Sequence, residues 1–389
     1  MRALAFFDTR FQTTPAMATL ADTPWQRLAA ARPTSRRYGM PNGPGRLGVY
    51  DLADPPQARA VLELAARTGL DGFVVDCHPT DAGYLTGAEV LAPWLPAGFG
   101  LAFQWPLGRD RAWAAADGSQ ARLARLGALV ASLSSGSPVL AAGRIVLIVD
   151  RPALLPDPAW TLRHLRQLAA EAGLPGLYLV AAQANTDDAL AVGYDALLDP
   201  GPADWASCGP MSTAGSIEQL EIAAGLREAS DGRDRAFHLV LFAITRMIKR
   251  GARGKVMPRV FPAYQNWPAY PEGGATLLVE PGRSGVNRHL FGAFLENALL
   301  YAAGNFAADE ALCFVDSWNG WFDGSQIEPS VLDGDQILDT ARHAIDRARF
   351  VARTRRGDGM VPAIEPVLRD RVADLCRASA ALISARLPA

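Results

Sequence analysis

Carboxylates, amides and indoles crowd into "FVDSWNGWFDGSQIEPS", residues 314 to 330, where an apolar run gives way to Asp316, Trp318, Asn319, Trp321, Asp323 and Glu328. Two carboxyl groups are the ordinary equipment for breaking or making a glycosidic bond, one protonating the leaving oxygen and the other serving as base or nucleophile. Amides and carboxylates also bond ring hydroxyls, and flat indoles cover the C–H face of a sugar. The same residue types follow earlier apolar runs. They are Asp8, Asp76 with His78, Gln104 with Trp105, Asp150 with Arg151, Gln183 with Asn185, Asp199, and Tyr264, Gln265, Asn266 and Trp267. This collection suits a carbohydrate.

The elements that must carry these residues can be read from the apolar runs themselves. Eight of them, at 3–7, 72–75, 100–105, 144–149, 176–182, 195–198, 256–264 and 311–315, are apolar at nearly every position. A parallel sheet covered on both faces requires that pattern. Helical periodicity fills most of the intervals, for example after Pro55 and after Asp157, where Pro158 opens a helix that Gly173 closes. Eight strands alternating with helices, and no glycine-rich phosphate loop after the first, predict a (β/α)8 TIM-type barrel in which residues at the strand ends face the active site. The barrel is expected to occupy residues 1–355, its last strand spanning about 312–316. A long helix follows to about Arg353, and a C-terminal loop and helix at 356–389 is expected to pack on the barrel.

Several of these residues have structural alternatives. An aspartate after a strand caps the following helix as readily as it serves chemistry, and Asp8, Asp150 and Asp199 divide evenly between the two roles. Asp76 and His78 sit two apart in an extended stretch, so they share a face and point together over the mouth. The "DRP" at 150–152 reads as a turn. The basic run from Arg246 through Lys249, Arg250, Arg253 and Lys255 to Arg259 reads as a solvated helix face, since its spacing is not that of a phosphate-cradling loop.

Composition narrows the partners. The formal net charge is -2 over 389 residues, with 20% charged side chains, so no overall field draws nucleic acid or an anionic membrane. The N-terminal apolar run ends at Asp8, too short for a signal-peptide core or a membrane span, and a cytoplasmic protein is expected. The four cysteines, Cys77, Cys208, Cys313 and Cys376, lack the paired spacing of a zinc or redox motif and read as core thiols. The expected partner is a saccharide or glycan, with no metal or cofactor. Composition and pattern leave the oligomeric state open.

Taken in order, "YDLADPPQARAVLELAARTGLDGFVVD", "GRIVLIVDRPALLPD", "EAGLPGLYLVA", "PAYQNWP" and "VDSWNGWFDGSQIEP" resemble the WbsX-type proteins of bacterial polysaccharide clusters, which are similar to glycoside hydrolase family 99. The resemblance runs from about residue 47 to 345. It implies a (β/α)8 barrel that transfers or hydrolyses glycosyl groups, and the last motif is where the chain departs from it. That motif reads Asn-Glu-Trp-x-Glu-Gly and then Glu-Pro, and its first two glutamates are the catalytic pair of the hydrolases. Here the frame is Asn319, Gly320, Trp321, Phe322, Asp323 and Gly324, ending in Glu328 and Pro329. An Asp-Asn pair before proline has become Gln265 and Asn266 before Trp267 and Pro268.

Glycine has no proton to give, and Asp withdraws the carboxyl by about 1.5 Å relative to Glu. Either Asp323 works with another acid, such as Asp76, Asp316 or Glu328, or the site binds glycans without turning them over. The candidates are therefore Asp323, Asp316 and Asp76 for catalysis. For holding the saccharide they are His78, Gln104, Trp105, Tyr264, Gln265, Asn266, Trp318, Asn319, Trp321 and Glu328.

Overall fold

A computed structural model of the protein describes residues 1–15, 24–31, 43–182, 186–199, 201, 255–265, 276–277 and 285–356. Nine parallel strand segments form a nearly closed barrel. They are β1 (Arg2–Phe7), β2 (Gly72–Asp76), β3 (Gly100–Trp105), β4 (Arg144–Asp150), β5 (Leu177–Ala182), β6 (Ala196–Leu198), β7 (Val256–Met257), β8 (Arg259–Val260) and β9 (Leu312–Val315). The sheet order is β7-β6-β5-β4-β3-β2-β1-β9-β8. Pro258 separates β7, which pairs with β6, from β8, which pairs with β9, so these two are halves of one run and join the two edges. All eight runs read from the sequence thus become barrel strands. A short antiparallel strand, Leu140–Ala141, leads into β4.

Helices α1 (Pro55–Arg67), α2 (Gly118–Ser132), α3 (Pro158–Glu171), α4 (Gly285–Asn305) and α5 (Gln336–Arg356) cover the outside. The helix α3 begins where Pro158 pre-sets the backbone and Asp157 accepts the amide of Trp160 at 2.9 Å, and Gly173 follows its end at φ 71°. The expected C-terminal helix beyond residue 356 lies outside the described residues.

Because successive side chains on a strand point to opposite faces, each strand divides its residues between two cores. Leu4 and Phe6, Val74, Ala102, Val146 and Ile148, Val180, Leu312 and Phe314 form the cluster inside the barrel. Their neighbours Ala5 and Phe7, Phe73 and Val75, Phe103, Leu147 and Val315 pack outward with Leu62, Leu126, Leu165, Phe294 and Ile345 of the helices. Continuing the inward phase by two residues arrives at Asp8, Asp76, Gln104, Asp150 and Asp316 at the carboxyl ends. The fold delivers these side chains to the mouth by register alone.

The same alternation corrects one expectation. Trp105 is a single residue past Gln104 and so faces the helices, fully buried, with its ring edge-on to Trp113 at 5.0 Å. Its indole Nε1 donates to Asp110 at 3.0 Å. Asp110, 1% exposed, also accepts from the Trp113 amide at 2.8 Å, from Arg125 at 3.2 Å and from the Tyr84 hydroxyl. Arg125 lies over the Tyr84 ring at 4.5 Å. Removing one member of such a buried pair leaves the other charge uncompensated, which costs about 3–5 kcal/mol. Asp110→Ala is therefore expected to lower the unfolding free energy by about that amount. Denaturant titration of the two proteins measures it, and a loss below about 1 kcal/mol would contradict the assignment.

Candidate functional site at the barrel mouth

A cleft of about 230 Å³ opens at the carboxyl ends of β1, β2, β3, β8 and β9. Phe6, Phe7, Trp321 and Phe322 contribute apolar surface, and Asp8, Asp76, Gln104, Asp316, Asn319 and Asp323 contribute polar groups, with Arg10, Arg109 and Arg259 among them.

The carboxylates fall into two kinds. Three are each held by an arginine. Asp8 receives Arg10 through Nε at 2.9 Å and Nη2 at 2.7 Å, Asp76 receives Arg109, and Asp316 receives Arg259 at 2.6 Å. Burial pushes the Asp8 carboxyl up, but the Arg10 charge and its hydrogen bonds outweigh this and hold it well below the usual carboxylate range. Asp76 is likewise lowered, because Arg109 and His78 overcome its burial.

Asp323 is different. Burial and the neighbouring Asp316 charge push it up to about 7, against the pull of Ser325, whose amide and hydroxyl donate to Oδ1 at 3.1 and 2.5 Å. It is the lining carboxyl without an arginine ion pair among the described residues.

The loop after β9 is locked to β1. The amide of Trp318 donates to the Phe6 carbonyl at 2.8 Å. The Asn319 side chain accepts the Asp8 amide at 2.8 Å and donates to the Asp8 carbonyl at 3.0 Å and the Tyr50 hydroxyl at 3.1 Å. The peptide bond between Asp316 and Ser317 is cis. Behind the cleft, Glu328 accepts from Trp321 Nε1 and from the Tyr50 hydroxyl at 3.2 Å, and burial pushes its carboxyl up to about 8.

Gly320 lies at the centre of this loop. A Cβ built there would overlap Ser325 Oγ, Ser317 Oγ and Asp323 Oδ1, and the two hydroxyls are themselves 3.2 Å apart. The space a larger side chain would enter is filled by the groups that position Asp323.

The structure brings together Asp76, Gln104, Asp316, Asn319, Trp321 and Asp323 from the expected set. It places Trp318 elsewhere: wholly buried, its ring lies 5.7 Å from Phe73 in the helix-facing core and presents no stacking surface at the mouth. Glu328 is 3% exposed behind Trp321, and His78 is 5% exposed, with burial lowering its basicity despite Asp76 and Asp8 nearby. Neither lines the cleft. The backbone of Tyr264 and Gln265 pairs with Thr276 and Leu277, while their side chains lie outside the described residues. So do Asn266, Trp267, Gln183 and Asn185.

Arg10, Arg109 and Phe322 line the cleft beyond the expected set, and so does Arg259, expected on a solvated helix face. Arg259 lies instead on β8, opposite Phe314, two residues past the inward-facing Met257. That period of two was the available signal. Lys255 meets Glu310 at 2.9 Å, and Arg246, Lys249, Arg250 and Arg253 lie outside the described residues.

Comparison with known proteins agrees with this architecture. The family described as "Glycosyltransferase WbsX" matches residues 119–341. Two curated relatives, each called "Uncharacterized protein WxcX" and from two strains of Xanthomonas campestris pv. campestris, are 25% identical over 355 residues. The match takes in 85% of this chain and 47% of theirs, so the chain spans about half the length of those relatives. Among solved structures, the GH99 endo-alpha-mannosidase from Bacteroides thetaiotaomicron superposes with a TM-score of 0.59 at 14% identity, covering 91% of this chain and 98% of the other. A "Glycoside hydrolase-like protein" gives 0.57 at 14% identity, with 88% and 93% covered. At that identity the likeness is one of fold.

Two outcomes follow from the loop. Gly320→Ala is expected to destabilise by about 1–3 kcal/mol through overpacking, read from thermal or denaturant unfolding, and an unchanged stability would mean the serine cluster yields freely. The second concerns Glu328. Its folded-state affinity for the proton exceeds that of the unfolded chain, so its contribution to stability is complete below about pH 4.5 and is lost as pH rises toward 8. Glu328→Gln should therefore flatten the decline in Tm between pH 5 and pH 8, and an unaltered slope would exclude the shift.

Proposed function

Because the chain belongs to the WbsX glycosyltransferase family, we propose that its cleft binds a saccharide and carries out glycosyl transfer or hydrolysis in bacterial polysaccharide metabolism, with Asp323 as the proton-transferring group. The observation that carries this reading is the single lining carboxyl without an arginine, pushed up to about 7 by burial and the Asp316 charge, set beside an arginine-held aspartate. A carboxyl raised by burial next to one held by a cation is the arrangement expected of an acid and its charged partner.

In the proposed step, protonated Asp323 gives its proton to the departing glycosidic oxygen as the bond to the anomeric carbon breaks. The Asp316 carboxylate offsets the positive charge that develops on the ring. An incoming hydroxyl then bonds to the anomeric carbon and returns its proton to Asp323, leaving the enzyme as it began. Asp8 and Asp76, already neutralised by Arg10 and Arg109, are suited to hydrogen-bonding hydroxyls, with Gln104 beside them. Phe322 and the edge of Trp321 supply apolar surface for a ring face.

A noncatalytic glycan-binding barrel is the second reading, and Gly320 favours it, since the residue that the resemblance makes a catalytic glutamate is absent and its space is filled.

Asp323→Asn separates the two. If Asp323 transfers the proton, turnover on an oligosaccharide panel should fall by about 10²- to 10⁴-fold while calorimetric affinity stays within a few fold. Wild-type activity that needs the protonated form should decline as pH rises through about 7, and that limb should vanish in the variant. Undiminished turnover in Asp323→Asn rules out the catalytic assignment, and binding without turnover in the wild type selects the second reading.

A further inference from the structure

We infer that the saccharide bound at the mouth carries an anionic group, a carboxylate or a phosphate, received by the exposed edge of Arg109. The inference rests on the saccharide reading above and names the class of sugar.

Arg109 ends the short turn Leu107–Arg109 that follows β3, and it stands on the wall of the cleft. Its side chain is 55% exposed, whereas the Asp76 it bonds is 20% exposed. The guanidinium is therefore gripped from the barrel side and open on the solvent side. Asp76 is itself fixed, since the Gln104 amide donates to its other oxygen at 2.9 Å. A chain from Gln104 through Asp76 to Arg109 orients the fork before any ligand arrives, which removes part of the entropy cost of ordering a long side chain.

A guanidinium has five N–H donors in one plane, and among the described residues Asp76 is its hydrogen-bonding acceptor. What remains is a planar edge matched to two oxygens of one anion. A neutral hydroxyl would use one such donor and would be served as well by an amide.

The surrounding charge agrees. In the cleft Asp8, Asp76 and Asp316 are each paired with an arginine, and burial beside Asp316 raises the proton affinity of the fourth carboxyl, Asp323. Arg151 adds a further positive group beside the same turn. Its Cδ would lie 3.0 Å from a Cβ on Gly108, and the nearby Asp150 is pushed by burial toward its neutral form. Arg109 and Arg151 thus set two guanidinium groups at the same turn.

One chemistry has two sources here, a uronate within the glycan or the diphosphate of an activated sugar. Calorimetry at low ionic strength with methyl glucoside, methyl glucuronide, a nucleoside diphosphate and inorganic phosphate distinguishes them, using the full chain, Arg109→Gln and Arg109→Lys. A charge-assisted pair of this kind is worth about 10- to 100-fold in affinity.

The glucuronide should bind at least about tenfold tighter than the glucoside, or the diphosphate tighter than either. Arg109→Gln should abolish the preference, and Arg109→Lys should keep part of it. Equal affinity for charged and neutral sugars, a preference that survives Arg109→Gln, or no binding of any probe overturns the inference. Arg109-dependent binding of phosphate or the diphosphate with no binding of either glycoside would keep the anion site and overturn the saccharide reading instead.

Discussion

The seam between the last strand and the first holds the candidate site together. The Trp318 amide donates to the Phe6 carbonyl and the Asn319 side chain grips the Asp8 amide and carbonyl, so the β1–β9 ladder continues beyond the end of the sheet through one backbone bond and then side-chain bonds. On one side of this seam stand Asp8, Arg10, Asp76 and Arg109, and on the other Asp316, Arg259 and Asp323. A barrel has no edge, and closing it here brings groups some three hundred residues apart in sequence within one cleft. Tyr50 and Glu328 back the seam from behind, with Trp321 Nε1 donating to Glu328, so a carboxylate that resembles a ligand-binding group in sequence is consumed by the scaffold.

Charge in the cleft is managed by pairing. An isolated carboxylate at this degree of burial would take up a proton, so an aspartate that is to stay ionised needs a cation within bonding distance. Asp8, Asp76 and Asp316 each have one. Asp323 has serine donors instead, and these only partly offset its burial and the Asp316 charge. The Arg259 guanidinium also lies 4.3 Å over the Phe6 ring, so a residue of the inner core helps fix the cation that Asp316 accepts from. Packing of the barrel interior and electrostatics of its mouth are in this way one arrangement.

Much of this was legible in the sequence, and the limits have physical causes. The eight apolar runs specified the strands because a parallel barrel buries both faces of each, and counting by twos from Phe6, Val74, Ala102 and Phe314 leads to Asp8, Asp76, Gln104 and Asp316. Trp105 and Trp318 show that residue type without phase does not place a side chain: one step past an inward residue faces the helices, and the turn after Asp316 sends Trp318 beneath the mouth. Arg109 and Arg259 were missed because an arginine's role depends on which carboxylate it meets, and those partners, Asp76 and Asp316, are 33 and 57 residues distant. Helical spacing of the basic run concealed Arg259, whose strand lasts only two residues.

Gly320 and Asp323 are best understood together. If a glutamate were merely deleted from a site otherwise arranged to hold one, the vacated volume would remain as a void or fill with water. Instead Ser317 and Ser325 converge on it, and Ser325 presents both its amide and its hydroxyl to Asp323. The shorter acid is thereby held from the very space a longer neighbour would need. A side chain at 320 and the present arrangement of Ser317, Ser325 and Asp323 compete for the same space in this loop. Whether the site turns a glycan over or only holds one, the order of the hydroxyls around Asp323 depends on there being no side chain at 320.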